Sequence, residues 1–173
     1  MSAFIHLHVH SAYSLLEGAL RIPRLIELAR ADKEPALALT DSGNMFGVLE
    51  FSTKAAAAGI QPIVGCALAI DFGDQEAGAR TGLPPEPARV VLLATREEGY
   101  RSLMRLNSRS FLETPTHQRP HIKLDWLEGE SDRLIALTGG PDGPISTAFA
   151  AELPALARAR TERLAALFGD RLY

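Results

Sequence analysis

Hydrophobic and polar positions alternate at the start of the chain. In "FIHLHVH" Ile5, Leu7 and Val9 fall on one side and His6, His8 and His10 on the other. Successive strand side chains take opposite faces, so this period of two predicts a strand over 3–10 with a histidine face. After "EGALRIP" the period changes. Pro23 suits a first helical turn, and Ile22, Leu25, Ile26, Leu28 and Ala29 follow helical spacing, which predicts a helix over 22–31. "PALALTD" (35–41) reads as a short buried strand ending in Asp41, and "FGVLEFSTKAAAAG" (46–59) as a helix capped by Gly59.

The second half continues the alternation. "IQPIVGCALAIDF" (60–72) carries a strand or strand pair, and the polar, Gly/Pro-rich stretch 73–88 is expected to be a mobile loop insertion. "RVVLLAT" (89–95) is a buried strand. Residues 96–113 form an amphipathic helix that offers Tyr100, Leu103, Met104, Leu106 and Phe111 for packing. A polar loop leads to a strand over 133–139, then to helical text over 144–168 divided near Pro154, and "GDRLY" opens one more strand. Short buried strands alternating with helices predict an α/β fold, a parallel sheet with helical crossovers, open or closed as a barrel. The carboxyl ends of its strands form the functional rim. His10, Asp41, the "VGC" turn at 64–66 and Gly139–Gly140 all fall near such ends.

Composition narrows the function classes. Hydrophobic residues make up 46% and charged residues 23% of the 173 positions, the balance of a folding globular chain, and no repeat is visible. A net charge of -3 with scattered arginines offers no long-range attraction for phosphate backbones, so nucleic acid is not a direct partner of this segment. The single cysteine, Cys66, cannot form an internal disulfide. With no secretory signal and no apolar run near twenty residues, the expectation is a cytoplasmic protein without a membrane partner.

Three histidines at alternate positions pose the chemical question. Side chains at i and i+2 of a strand stand roughly 7 Å apart at the backbone, near enough for two imidazoles to converge on one ion. The plainer reading has them facing a polar interior or a carboxylate. A hydrolytic centre also needs donors from other strands, bridging ions that activate water. The nearby carboxylates are Glu17 and Asp41, each of which reads equally as a cap or turn residue. His117 and His121 share one polar loop and are expected to be solvated.

"HLHVHSAYSLLEG", "PALALTDSGNMFG", "GIQPIVGCALAI", "VVLLATREEGYRSLMRLNS" and "RLIALTGG", in this order and spacing, resemble the N-terminal polymerase-and-histidinol-phosphatase (PHP) domain of bacterial DNA polymerase III alpha subunits. The resemblance implies a distorted seven-stranded β/α barrel spanning 1–173, the N-terminal part of a much longer replicative polymerase. Only about five to six strands are legible here, so the barrel is expected to be incomplete and the fragment to self-associate through an open edge.

In metal-competent members of that family the residues matching His8, His10 and Glu17 bind ions. Four further ligand positions read Ser42, Ala67, Arg89 and Gly140 in this chain. A hydroxyl and a guanidinium are poor ligands, and alanine and glycine have no donor. By resemblance, then, His8, His10 and Glu17 are a remnant that holds zinc or manganese weakly at most, with His6 and Asp41 as further candidates. No catalytic residue and no required cofactor are expected. The implied role is a scaffold that supports the rest of the polymerase subunit and docks a proofreading exonuclease subunit, with DNA reached only through the full-length protein. The alternative is a metal-dependent phosphoesterase or intrinsic 3′–5′ exonuclease using His8, His10 and Glu17. A structural metal-binding module unrelated to replication is the third reading.

Overall fold

The computed structural model describes residues 4–74 and 87–173. Most of the expected mobile insertion at 73–88 lies outside the described residues. Contacts group the chain into two compact units, 1–67 and 68–173.

In the first unit, α1 (Ile22–Ala31) starts where Pro23 pre-sets the backbone, and it buries Ile22, Leu25, Ile26 and Ala29. These pack with Leu37 and Leu39 of β1 (Ala36–Leu39), Phe51 and Ala55 of α2 (Val48–Ala57), and Ile60. Phe51 is fully buried, and removing such a ring from water contributes about 2–3 kcal/mol. The helix α2 is the crossover that lets β1 run parallel to the first half of β2 (Gln61–Asp71), in register from Ala36 opposite Gln61 to Leu39 opposite Val64.

Over the described residues 4–10, the segment expected as a strand is an irregular arm with a bend at Leu7 and His8 instead. Ala38 and Thr40 of the β1 segment donate their amides to His6 O and Val9 O, both at 2.9 Å. The acceptors are three residues apart and the donors two, so the arm carries one extra residue. That bulge breaks the period of two. The Val9 amide, which a regular ladder would pair with backbone, bonds to Thr40 Oγ1 at 2.9 Å. Val9 packs against the core while Leu7 is exposed, and His6 turns to Glu34 while His8 and His10 lie beside each other.

In the second unit the end of β2 pairs in parallel with the two-residue β4 (Ile122–Lys123), Ile70 opposite Ile122. Ile70 donates its amide to Ala88 O just before β3 (Arg89–Ala94). The strand β3 pairs with β5 (Leu134–Leu137) antiparallel, Val91 opposite Leu137 and Ala94 opposite Leu134. The sheet is therefore mixed rather than wholly parallel. The helix α3 (Glu97–Leu112) travels back along β3, and residues 113–133, with β4 and short 3₁₀ turns, make one further traverse before β5 begins. That extra traverse reverses the direction in which β5 enters. Helices α4 (Pro144–Ala150) and α5 (Pro154–Phe168) divide at Pro154 as expected. Leu172 then bridges to Ala136 in parallel, so the "RLY" segment adds to β5.

The buried face of α3 is Gly99, Ser102, Leu103, Leu106 and Ser110, while Met104 and Phe111 are exposed. The packing face is rotated from the expected one because α3 crosses close at Gly99, where a Cβ would stand 2.2 Å from Arg133 O. His117 is exposed, but His121 is buried, its Nδ1 2.9 Å from Arg119 O and its amide donating to Thr114 Oγ1. The loop folds back on itself there, so His121 is not solvated.

Candidate functional site

Residues 11–18 leave the arm and fold into successive tight turns beyond the end of β1. Ser14 donates its amide to Ser11 O, and Glu17 and Gly18 donate theirs to Ser14 O, at 2.8–3.0 Å. Leu16 sits in the left-handed region at φ 68°. Gly18 closes against Ser11 so tightly that a Cβ would lie 1.9 Å from Ser11 O, so no other residue fits there.

Asp41 anchors these turns. It is 2% exposed, and its carboxylate accepts three hydrogen bonds: the Ser11 amide at 2.7 Å and the Ser14 hydroxyl at 2.6 Å on Oδ1, and the Ser11 hydroxyl at 2.8 Å on Oδ2. The Ser42 amide in turn donates to Ser14 Oγ at 3.0 Å. Each charge-assisted bond of this kind contributes about 1.5–3 kcal/mol, which the buried carboxylate needs to offset its desolvation.

Glu17 completes a second cluster. Its Oε2 lies 3.1 Å from His10 Nδ1 and accepts the Ser42 hydroxyl at 2.5 Å. The His8 and His10 rings lie 4.8 Å apart between centroids. The opposite nitrogen of His10, Nε2, is buried and has no hydrogen-bond partner among the described residues. His6 stands apart: its Nδ1 pairs with Glu34 Oε1 at 2.6 Å and its ring meets Phe4 edge-on. Glu34 is 7% exposed. The structure thus brings His8, His10 and Glu17 together and gives His6 and Asp41 to other partners.

Ser42 and Ala67, two of the four positions that the resemblance pairs with family ligands, also meet here. Ser42 and Ala67 form an isolated parallel bridge, with the Gly43 amide on Ala67 O at 2.9 Å and the Ala67 amide on Asp41 O at 3.1 Å. Beside them, Cys66 is fully buried and donates to Asp41 O and Asn44 O. Burial pushes its thiol up to about 12. In the second unit Arg89 opens β3 and Gly140 follows β5.

Whether this donor set suits a multi-ion group can be tested on its geometry. The two nitrogens of an imidazole point in nearly opposite directions. An ion held at His10 Nε2 would therefore not be shared with Glu17, which faces Nδ1 as an orienting carboxylate does. Among the described residues no three His, Cys, Asp or Glu side chains are grouped so as to hold a metal ion. The unpartnered Nε2 suits a single cation. The arrangement as a whole does not suit a bridged cluster, which needs donors converging from several strands.

Sequence reasoning missed Ser11, Ser14 and Glu34. The serines' spacing to Glu17 was visible in "HSAYSLLEG", but nothing in it tells a buried hydroxyl from a solvated one.

Comparison with known proteins places these features in a family. The PHP domain model matches residues 6–173. The DNA polymerase III subunit alpha of Caulobacter vibrioides is 41% identical over 173 residues, covering 98% of this chain and 15% of that protein. The subunit alpha of Thermus aquaticus is 37% identical over 175 residues, covering 98% of this chain and 14% of that protein. A solved amidohydrolase from Chromobacterium violaceum, with bound sulfate and no metal, aligns at a TM-score of 0.46 and 26% identity, over 61% of this chain and 32% of that one. The chain therefore spans about a seventh of the polymerase subunits it matches. The family model accounts for all but the first five residues of the chain, which belongs to the PHP domain family.

Proposed function

We propose that this PHP domain is the N-terminal part of a bacterial DNA polymerase III alpha subunit and acts there as a scaffold without hydrolytic activity of its own. The observation that carries the reading is identity of 41% sustained over 98% of the chain with one such subunit. The site chemistry supports the second half, since Ser42, whose hydroxyl is already bonded to Glu17, and Ala67 bridge each other and offer between them no good metal donor. In this reading the domain supports the remainder of the polymerase in the cytoplasm, docks a separate proofreading 3′–5′ exonuclease subunit, and meets DNA only through the full-length protein. No metal is required.

A second reading, a metal-dependent phosphoesterase or intrinsic exonuclease, is favoured by one feature, the unpartnered His10 Nε2. The two separate in an assay of p-nitrophenyl phosphate and single-stranded DNA hydrolysis with added zinc or manganese. The scaffold reading expects turnover no greater than that of the His8→Ala variant. Metal-dependent hydrolysis that His8→Ala and His10→Ala both abolish would establish the phosphoesterase instead.

A further inference from the structure

The disagreement between the family's ion chemistry and the residues present has a structural counterpart. We infer that Ser42 is a positioning residue: its hydroxyl, bonded to Glu17 Oε2, ties the 11–18 turns to the end of β1 and does mechanically what an ion would do in a metal-loaded relative. The inference stands whether or not the domain serves a polymerase.

Three observations converge on it. At 2.5 Å the Ser42–Glu17 bond is short, as expected where a hydroxyl donates to an ionised carboxylate. The same Oε2 faces His10 Nδ1 at 3.1 Å, so one oxygen gathers a hydroxyl from the end of β1 and an imidazole from the arm. A bridging ion would make the same connection between two chain segments through its ligands. The Ser42 amide also holds Ser14, which Asp41 grips in turn, so the two ends of the turn segment are fastened to neighbouring residues 41 and 42. The fastening uses protons already on the chain. It therefore needs no cofactor to form, and Glu17 Oε2, taken up as an acceptor, is less available to a cation.

The amides of Ser14, Glu17 and Gly18, all hydrogen-bonded within the turns, report on the clasp by hydrogen exchange. In the full chain, Ser42→Ala is expected to speed their exchange about tenfold, the loss of one hydrogen bond to a charged acceptor. Ser42→Thr, which keeps the hydroxyl, is expected to restore protection. Protection in the unsubstituted protein is expected to be equal in EDTA and in zinc chloride. Two results would overturn the inference: Ser42→Ala leaving these amides as protected as before, or zinc adding protection to the unsubstituted protein. If Ser42→Ala unfolds the chain outright, Glu17→Gln serves as the second variant, keeping the shape and removing the charge. It must then speed the same three amides selectively, and exchange unchanged there would refute the clasp.

Discussion

Asp41 shows how much one carboxylate decides. It is almost fully buried, and its two oxygens accept three hydrogen bonds, from the Ser11 amide, the Ser11 hydroxyl and the Ser14 hydroxyl. Replacing it with asparagine keeps the volume but turns one oxygen into a donor that faces donors. The expected cost is about 2–4 kcal/mol, read from urea unfolding. Cys66 gives a convenient readout of the same corner, because its thiol donates to Asp41 O and burial pushes it to about 12. A thiol reagent at pH 8 should leave the folded protein unlabelled and react with Asp41→Asn at correspondingly lower urea. Labelling of the unsubstituted protein at the rate of a free thiol would contradict this burial. The sequence made Asp41 visible as a strand-end carboxylate, equally able to be a ligand or a turn residue. What it could not show is that Ser11 and Ser14, some thirty positions away, converge on it, because hydroxyls carry no hydrophobic signature.

At the scale of elements the readings divide by their physical basis. Helix α1 keeps its expected bounds, and strand β1 (Ala36–Leu39) falls inside the expected 35–41, two residues short of Asp41, because Pro23 and a run of apolar residues act locally. The arm over 4–10 and the antiparallel β5 differ because each depends on pairing with a distant segment: one extra residue against β1 in the first case, one extra traverse after α3 in the second. No local pattern encodes either. The anchoring of α5 on Phe72 and Asp74, just after β2, is another such long-range feature. Arg160 meets both oxygens of Asp74 at 2.8 Å, and Arg160 and Arg163 flank the Phe72 ring at 5.0 and 5.7 Å. The hydrogen bonds from Arg160 hold the Asp74 carboxyl below its ordinary range. A carboxyl depressed in the folded state stabilises it at pH above the ordinary value and loses that contribution as pH falls through the depressed one. Asp74→Ala is thus expected to cost about 1 kcal/mol near pH 6, in keeping with a partly solvated pair, and to cost progressively less as pH drops below the ordinary carboxylate value. A difference from the unsubstituted protein that stays constant through strong acid would show that the pair contributes by packing alone.

At the scale of the whole molecule the decisive quantity is how its cations are spent. The chain carries 18 Lys and Arg against 21 Asp and Glu. Many of those cations are already matched: Arg101 with Glu97, Arg105 with Glu130, Arg109 with Glu113, Arg158 with Glu162 and Arg160 with Asp74. Along α3 the guanidinia of Arg101, Arg105 and Arg109 recur once per turn, a spacing that could follow a phosphate backbone, yet each faces a carboxylate of this chain. Affinity for DNA comes from releasing the counterions that basic side chains displace. A guanidinium that must first leave its glutamate, in a chain of net charge -3, gains little by the exchange. The expected outcome is that fluorescence anisotropy with a labelled 20-base-pair duplex, or with a single strand, shows a Kd weaker than about 10⁻⁴ M at physiological salt. Binding should stay weak down to about 50 mM salt, since few phosphates would be neutralised. Micromolar binding whose logarithm falls steeply with the logarithm of salt, and which Arg105→Ala with Arg109→Ala weakens, would mean that this domain grips DNA itself. A polymerase built on it would then have a DNA contact at this domain as well as in its other parts, and the scaffold reading would have to include one.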